Sequence, residues 1–491
     1  MSLSTSFFNA LSGMTVNTKM TEIASNNLAN ALTDGYGRQS VNLGSAALGG
    51  RGIGVAERSI TRASALQYTE SRRQADGEAA NGSVQAEALA RLGTQLGEAT
   101  AEDGLFRRIE ALETGLRQLS ETPSSAPLQS QVVDAARDLA DKFSSISDQA
   151  LTVRSDADAA IARDVATVNR NLQDIESLNA KIQALSITDT SVPSLIDQRE
   201  RLIDEVNAII PVRIQPQDNN VVHLYTAGGQ FILQERAQTL EFSRTPVITT
   251  PMIYDPAGGG ALSGLTLRGQ DITPGSNNSL QVREGTLAGH FAVRDQITVE
   301  HLERVDQFTA NMISRFEDPA VDPTITAGDP GLFTDNGAAL DLLNIEGLAG
   351  RISVNALVDP AEGGDPARLR DGLQSVGPGP LNSDAIPRNL LDALSEQVPA
   401  SGVPGLAGSL SAFQTISGIV ELVGIQRTDA EAEAARLSIT RETLATSEAD
   451  QIGVDTDQEL QSLIQIEQAF AANVQVVQTA SRMLQELLEI R

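Results

Sequence analysis

The chain has 491 residues, of which 41% are hydrophobic but only 3% are aromatic, and it contains no tryptophan. Its 64 Asp and Glu residues outnumber 36 Lys and Arg residues, which gives a net charge of −28. This charge argues against binding to nucleic acid or to an anionic membrane, because each of these needs a basic protein face. The absence of cysteine excludes disulfides, thiol nucleophiles and Cys-ligated zinc.

The scarcity of aromatic residues favours long helices packed through narrow seams over the core of a large enzyme. No apolar run approaches the ~18–20 residues that a membrane span needs. The N-terminal segment also lacks the basic region, the continuous apolar region and the cleavage site of a secretory signal peptide. We therefore expect no membrane insertion, and a protein that either stays in the cytoplasm or leaves by a route other than Sec.

The first 30 or so residues carry apolar side chains along one helical stripe, which predicts a helix. This pattern stops in the sequence NALTDGYGR, where Asn30, Gly35 and Gly37 are turn formers. Residues 38–62 then alternate loosely, which indicates extended chain with a glycine-rich turn at 49–54. We do not interpret this turn as a phosphate loop, because it lacks the GKS or GKT ending.

The middle of the chain predicts a long helical body. Residues 63–122 are helical in pattern and end in the proline-containing SETPSSAP. From Val132 to Ile175 apolar residues then recur in steps of three and four, as in a coiled-coil seam. A helix from about 128 to 187 would be roughly 90 Å long at 1.5 Å per residue. We expect this seam to pack within the chain rather than between chains.

The remainder alternates between β-rich and helical patterns. A short amphipathic helix, SLIDQRERLIDEVNAII, precedes a region at 211–280 whose alternation predicts β-hairpins. Residues 284–318 return to a helical pattern, and the Pro- and Gly-rich stretch 319–404 predicts an irregular β lobe with flexible loops. Residues 409–491 are helical with one interruption at 452–457. The predicted fold class is therefore mainly α with β-rich insertions (α+β).

The last 30 residues contain an apolar seam with a seven-residue repeat. Its single polar member is Asn473, and such a residue can fix the register or the partner of a helix. From spacing alone, packing on the same chain and packing on a partner helix remain equally open. The eight seam positions are Leu463, Ile466, Phe470, Asn473, Val477, Ala480, Leu484 and Leu487.

The two ends of the chain together resemble bacterial flagellar axial proteins. The N-terminal FNALSGMTVNTKMTEIASNNLANALTDGYGRQ is similar to the opening motif of rod, hook and junction proteins, and GVDTDQELQSLIQIEQAFAANVQVVQTASRMLQELLEI is similar to their closing motif. Arg38 and Gln39 after the turn, the long helical region and LIDQRERLIDEVNAII resemble one family in particular, that of flagellar hook-associated protein 1, the first hook–filament junction protein. Asp34, Gly37 and Phe470 depart from the usual motif residues, which are Pro, Ser and Tyr.

The resemblance implies an extracellular structural subunit of the flagellum, which joins the hook to the filament and allows filament assembly. It implies unfolded export by the flagellar type III apparatus, with a chaperone on the C-terminal helix before secretion. The implied partners are the hook protein, the second junction protein and copies of the same chain in a ring. It also makes the turn after the first helix a joint at a subunit interface, which comprises Asn26, Asn27, Asn30, Gly35, Tyr36, Arg38 and Gln39.

The resemblance, combined with the patterns above, divides the chain into four expected regions. The N- and C-terminal helices pair as an inner coiled-coil domain, followed outward by a rod-like helical body, a β-rich insertion and an outer lobe. In the same order these regions are residues 1–62 with 445–491; 63–210 with 281–318 and 405–444; 211–280; and 319–404.

No pattern of residues predicts catalysis. The chain has three histidines, His223, His290 and His301, and none lies in a metal-binding motif such as HExxH. A GxSxG elbow is also absent, so we expect no enzyme, no cofactor and no metal. Two alternatives remain: a hook or rod axial subunit, which the long helical region after residue 63 disfavours, and a cytoplasmic coiled-coil scaffold, which leaves the paired end motifs unexplained.

Overall fold

The computed structural model describes residues 3–33, 35–48, 51–97, 101, 103–185, 189, 191–276, 278–400 and 402–489. Long helices dominate it, and its sheets are small and antiparallel. The predicted fold class is therefore confirmed. In the described part of the chain, no helix combines the length and the apolar character needed to cross a membrane.

The two ends of the chain pair with each other. Helix α1 (Leu3–Ala29) packs along α11 (Thr456–Glu489). Strands β1 (Gln39–Leu48) and β2 (Arg51–Arg62) form a long antiparallel hairpin that lies against α1, where the hydroxyl of Ser12 accepts a hydrogen bond from the N–H of Val55 at 3.2 Å. The predicted first helix and the extended segment after it are thus confirmed.

The helical body is built around one very long helix. Helices α2 (Leu66–Leu96), α3 (Leu105–Glu121), α4 (Ala126–Ala184) and α5 (Val192–Ile209) follow in order. The predicted seam of α4 is buried inside the chain over nearly its whole length, which confirms internal packing. The helical region predicted at 63–122 is broken between α2 and α3, where Gly97 has a φ of +80° that favours glycine.

The segment 211–280 forms two small three-stranded sheets. Their strands are β3 (Val212–Pro216), β4 (Val222–Thr226), β5 (Phe231–Leu233), β6 (Leu240–Glu241), β7 (Thr266–Leu267) and β8 (Gln270–Asp271). Their inward apolar side chains share one buried core with the second half of α4, with α5 and with α6 (Gly285–Ala292). A π-helical turn at Val293–Ile297 joins α6 to α7 (Thr298–Phe316).

The segment 319–404 differs from the irregular β lobe expected for it. It contains β9 (Phe333–Asp335), β10 (Ile352–Val354), α8 (Arg368–Asp371), α9 (Ala385–Ser395) and β11 (Val398–Pro399), so a helix stands where only short strands were expected. One face of α9 is apolar and buried, and the buried apolar residues of the segment share a core with α3, α7 and the first half of α4. Proline and glycine therefore mark tight turns over a packed core here.

The chain returns to the helical body through β12 (Ser409–Leu410) and α10 (Ala412–Ile452). Ser411 caps α10: its hydroxyl accepts the N–H of Gln414, and the Gln414 side chain accepts the N–H of Ser411. Helix α10 then runs along α2 and ends just before α11. This break confirms the interruption predicted near residue 452.

Candidate functional site at the joint of the terminal helices

The amide of Asn27 ties the end of α1 to the start of β1. Its Nδ2 donates to the carbonyl oxygen of Gln39 at 2.9 Å, and its Oδ1 accepts from the N–H of Gln39 at 2.9 Å. The same Oδ1 accepts from the hydroxyl of Tyr36 at 2.8 Å. Asn27 is only 1% exposed, so these bonds satisfy a buried amide that would otherwise be costly.

The turn between α1 and β1 is closed by Asn30 and Gly35. The Nδ2 of Asn30 donates to the carbonyl and the side-chain oxygen of Asn26, each at 2.9 Å, and so satisfies a carbonyl near the end of the helix. Gly35 has a φ of +73°, a conformation in which other residues are strained. Its carbonyl oxygen accepts from Nη2 of Arg62 at 3.0 Å.

Arg38 joins the two ends of the chain. Its N–H donates to the carbonyl of Ile452 at 2.9 Å, and its carbonyl accepts the N–H of Ala63 at 2.7 Å. Its guanidinium Nε lies 2.6 Å from Oε1 of Glu459, a residue that is only 2% exposed. This one residue therefore contacts the end of α10, the start of α11 and the chain just after β2.

A second ion pair links the joint to the helical body. Nε of Arg62 donates to Oδ1 of Asp197 at 2.5 Å, and the N–H of Gly37 approaches the same oxygen at 3.4 Å. Burial raises the pKa of Asp197, and the charge of Arg62 opposes that rise. Burial, together with Asp197 and Glu459, raises the pKa of Tyr36 to about 12. Tyr36 therefore keeps its proton and stays a hydrogen-bond donor.

A partly buried charge cluster beside the joint was missed by sequence reasoning. Arg72 pairs with Glu448 of α10 and, at 2.9 Å, with Asp204 of α5. Arg73 pairs with Asp204 at 2.6 Å and with Glu200 at 2.9 Å. The cluster joins α2, α5 and α10 and lines a cleft of about 530 Å³ under the turn. The sequence carries no signal for it, because its members lie far apart along the chain.

The C-terminal seam faces α1. Ile466 and Ala480 are buried, Leu463, Asn473 and Val477 are half-buried, and Phe470 and Leu484 remain 37% and 42% exposed. The side chain of Leu487 lies outside the described residues. Asn473 packs on Gly13 of α1, where an added Cβ would lie 2.6 Å from its Nδ2. The structure thus shows packing on the same chain for this seam, with part of its apolar surface left exposed.

Both terminal helices also carry exposed apolar residues away from this seam. On α1, Phe8 and Leu11 are 57% and 45% exposed. On α11, the exposed set is Leu460, Ile464, Val476 and Met483. The two terminal helices therefore present apolar side chains that the described part of the chain leaves uncovered.

The three histidines lie in three different elements, none of which is part of the joint. His223 is in β4, and His290 in α6 has its Nε2 3.8 Å from a carboxylate oxygen of Asp164. His301 in α7 is 3% exposed, and its Nε2 has no hydrogen-bond partner among the described residues. Burial lowers its pKa to about 4. Within the described ranges, no group of three or more His, Asp or Glu side chains could hold a metal ion.

The fold and this joint define a class of protein. It is a mainly helical structural protein whose two chain ends pair with each other and meet the body at one hydrogen-bonded joint.

Comparison with known proteins makes the assignment specific. Residues 89–322 match the model of the flagellar hook-associated protein FlgK helical domain. Residues 451–490 match the model of the flagellar basal body rod FlgEFG protein C-terminal region. Flagellar hook-associated protein 1 of Bacillus subtilis is 22% identical over 94% of this chain and 93% of its own length. The protein of the same name from Salmonella typhimurium is 23% identical over 98% of this chain and 99% of its own length.

A solved structure, that of the flagellar hook junction protein FlgK from Burkholderia pseudomallei, is 18% identical to this chain. It covers 56% of this chain and 47% of its own, with a TM-score of 0.43. The domain model and the full-length relatives agree on one family. The chain is similar to flagellar hook-associated protein 1 over nearly its whole length, and it is a structural component of the bacterial flagellum.

Proposed function

We propose that this protein is the structural subunit that joins the flagellar hook to the filament and allows the filament to assemble. The observation that carries the proposal is the joint at Arg38, which ties the paired terminal helices to the end of α10 and to the chain just after β2. A junction subunit needs such a fixed relation, because its inner helices and its outer body meet different neighbours. A catalytic role is not part of the proposal.

The joint and the C-terminal seam are the proposed assembly surfaces. In this proposal the joint residues, from Asn26 to Gln39, hold the inner domain at its angle to the body. The exposed part of the seam, with Phe470 and Leu484, and the other apolar residues of α11 are covered by neighbouring copies. Before secretion an export chaperone covers the same helix, since an amphipathic segment without partners is prone to aggregate. We propose that the four regions expected from the sequence are the structural regions of the assembled subunit.

The proposed neighbours are the hook protein on one side, the second junction protein on the other, and copies of this chain in the ring. The proposed location is outside the cell, after export by the flagellar type III apparatus. Two properties support this route: the chain has no cysteine and therefore no disulfide to block an unfolded passage, and the body is rich in helices that form from local contacts.

Deletion of the gene in its own bacterium tests the proposal. Electron microscopy should show bare hooks, and flagellin should appear in the culture medium, because filament subunits leave the cell but cannot attach. The wild-type gene supplied in trans should restore filaments. Cells without hooks would identify a rod or hook subunit instead, and normal filaments in the deletion strain would contradict a flagellar junction role.

Proteolysis of the free monomer separates the proposal from a cytoplasmic scaffold. The terminal helices pair mainly with each other and leave apolar surface exposed, so protease should trim both ends before it cuts the body. Ends as resistant as the body would count against an axial subunit.

A further inference from the structure

The chain contains two Asn-Gly pairs, Asn81-Gly82 and Asn336-Gly337, in opposite environments. The Asn-Gly sequence is the one most open to attack of a backbone nitrogen on the preceding side-chain amide, because glycine has no side chain to hinder it. We infer that Asn336 is a site of spontaneous deamidation in the folded protein, whereas Asn81 is protected.

Asn336 and Gly337 form the corner of a tight hairpin. Asp335 and Ala338 exchange both backbone hydrogen bonds, at 2.9 and 3.0 Å, and φ is +49° at Asn336 and +85° at Gly337. These are the angles of a type I′ turn. Both corner residues are exposed, and the Asn336 side chain has no hydrogen-bond partner among the described residues. A Cβ built on Gly337 would meet nothing within 4 Å, so the turn has open space for the reaction.

Both polar atoms of the Asn81 side chain are hydrogen-bonded. Its Nδ2 donates to Oε2 of Glu284 at 3.0 Å, and its Oδ1 accepts from Nε2 of Gln85 at 2.7 Å. Gly82 lies inside α2, where its N–H belongs to the helical ladder, and a Cβ there would lie 3.0 Å from Leu437. Reaction at Asn81 therefore requires local opening of a packed helix, which costs free energy that the hairpin corner does not need.

The chemistry needs only water. The Gly337 nitrogen loses its proton and attacks Cγ of Asn336, a new N–C bond forms, and the bond from Cγ to the side-chain nitrogen breaks to release ammonia. Water then opens the resulting succinimide at either carbonyl, which gives Asp or an isoaspartyl linkage. One hydrogen bond opposes this step, since the Gly337 N–H donates to Oγ1 of Thr334 at 3.0 Å.

The product would loosen a specific loop. Arg351 binds the carboxylate of Asp335 at 2.8 and 3.1 Å and the carbonyls of Asn344 and Glu346 at 2.7 and 2.8 Å. A new carboxylate beside Asp335 competes for Arg351, and an isoaspartyl link adds a backbone carbon that a two-residue turn cannot hold. Faster hydrogen exchange at 339–346 is therefore expected in the modified protein.

The test incubates the full-length protein at mildly alkaline pH, in native buffer and in parallel in concentrated urea. Trypsin separates the two sites, because the peptides 74–91 and 316–351 each carry one Asn-Gly pair. Mass spectrometry follows the conversion of amide to acid, and isoaspartyl methyltransferase labels the isoaspartyl product. In native buffer the peptide 316–351 should react at least about tenfold faster than 74–91, a ratio that corresponds to ~1.4 kcal/mol of local opening. In urea the two peptides should react at similar rates.

Two variants sharpen the test. Asn336→Gln should abolish the new species in 316–351, because the longer side chain forms its ring far more slowly. Thr334→Val, which keeps the buried shape but removes the acceptor of the Gly337 N–H, should speed the reaction. Equal rates for the two peptides in native buffer would overturn the inference. So would an Asn336 that stays intact in native buffer over the time in which both peptides react in urea.

Discussion

Two buried groups on α7 predict opposite dependences of stability on pH. Burial lowers the pKa of His301 from 6.5 to about 4 and raises the pKa of Asp306 from 3.8 to about 6. Asp306 accepts the N–H groups of Gly347 and Ala349, at 2.7 and 2.9 Å, which lower its pKa but do not outweigh burial. The nearby charges also enter, Arg304 at the histidine and Arg351 and Glu346 at the carboxyl.

The direction in which each group changes the folding stability with pH follows from proton linkage. His301 has a depressed pKa in the folded state, so its contribution to stability is present above pH 6.5 and is lost as the pH falls through 4. Asp306 has a raised pKa, so its contribution is present below pH 3.8 and is lost as the pH rises through 6. At 1.36 kcal/mol per pKa unit, each amounts to about 3 kcal/mol. Between pH 6.5 and 4 the two contributions therefore nearly cancel.

Substitution of His301 or Asp306 separates the two contributions to stability. Relative to wild type, His301→Leu should gain up to about 3 kcal/mol in the free energy of unfolding between neutral pH and pH 4. Asp306→Asn should lose a similar amount over the same range, and the double variant should follow the wild-type slope. Urea unfolding followed by circular dichroism at several pH values measures all four proteins. Parallel pH profiles for wild type and either single variant would refute this account.

Two further predictions concern the terminal helices, and hydrogen exchange of α1 measures both. Arg38→Ala leaves the buried carboxylate of Glu459 without its partner and should lower the local opening free energy of α1 by about 1–3 kcal/mol. Arg436→Ala, in an exposed ion pair, is the matched control and should leave it unchanged. Gly13→Ala should stabilise α1 by ~1 kcal/mol in an Asn473→Ala background. In wild type the gain should be smaller, since the new Cβ meets Asn473. Equal effects in both backgrounds would show that the two residues do not interact.

Much of the fold could be predicted from periodicity. The steps of three and four from Val132 onward locate α4 almost to its ends, because a long helix buries one stripe whatever its neighbours are. The β-rich character of 211–280 followed from alternation in the same way. Within 319–404, short apolar runs such as that around Leu390 are buried only because distant elements cover them, so their packing had no local signal.

The candidate site was predictable in part. The resemblance of the chain ends singled out the residues from Asn26 to Gln39, and the structure places Asn27, Tyr36 and Gln39 in one hydrogen-bonded group. The partners of Arg38 and Arg62 could not be predicted, because Glu459 and Asp197 are brought near only by the tertiary fold. The same holds for the charge cluster around Arg72.

Labelling of intact flagella tests the central proposal most directly. The chain has no cysteine, and Val376 in the segment 319–404 is fully exposed, so Val376→Cys provides a single labelling site. The variant is expressed in the deletion strain, and a thiol-reactive gold or fluorescent probe is added to the cells. The proposal predicts one band of label between hook and filament. Label along the whole hook or filament, or none on flagella that carry normal filaments, would contradict it.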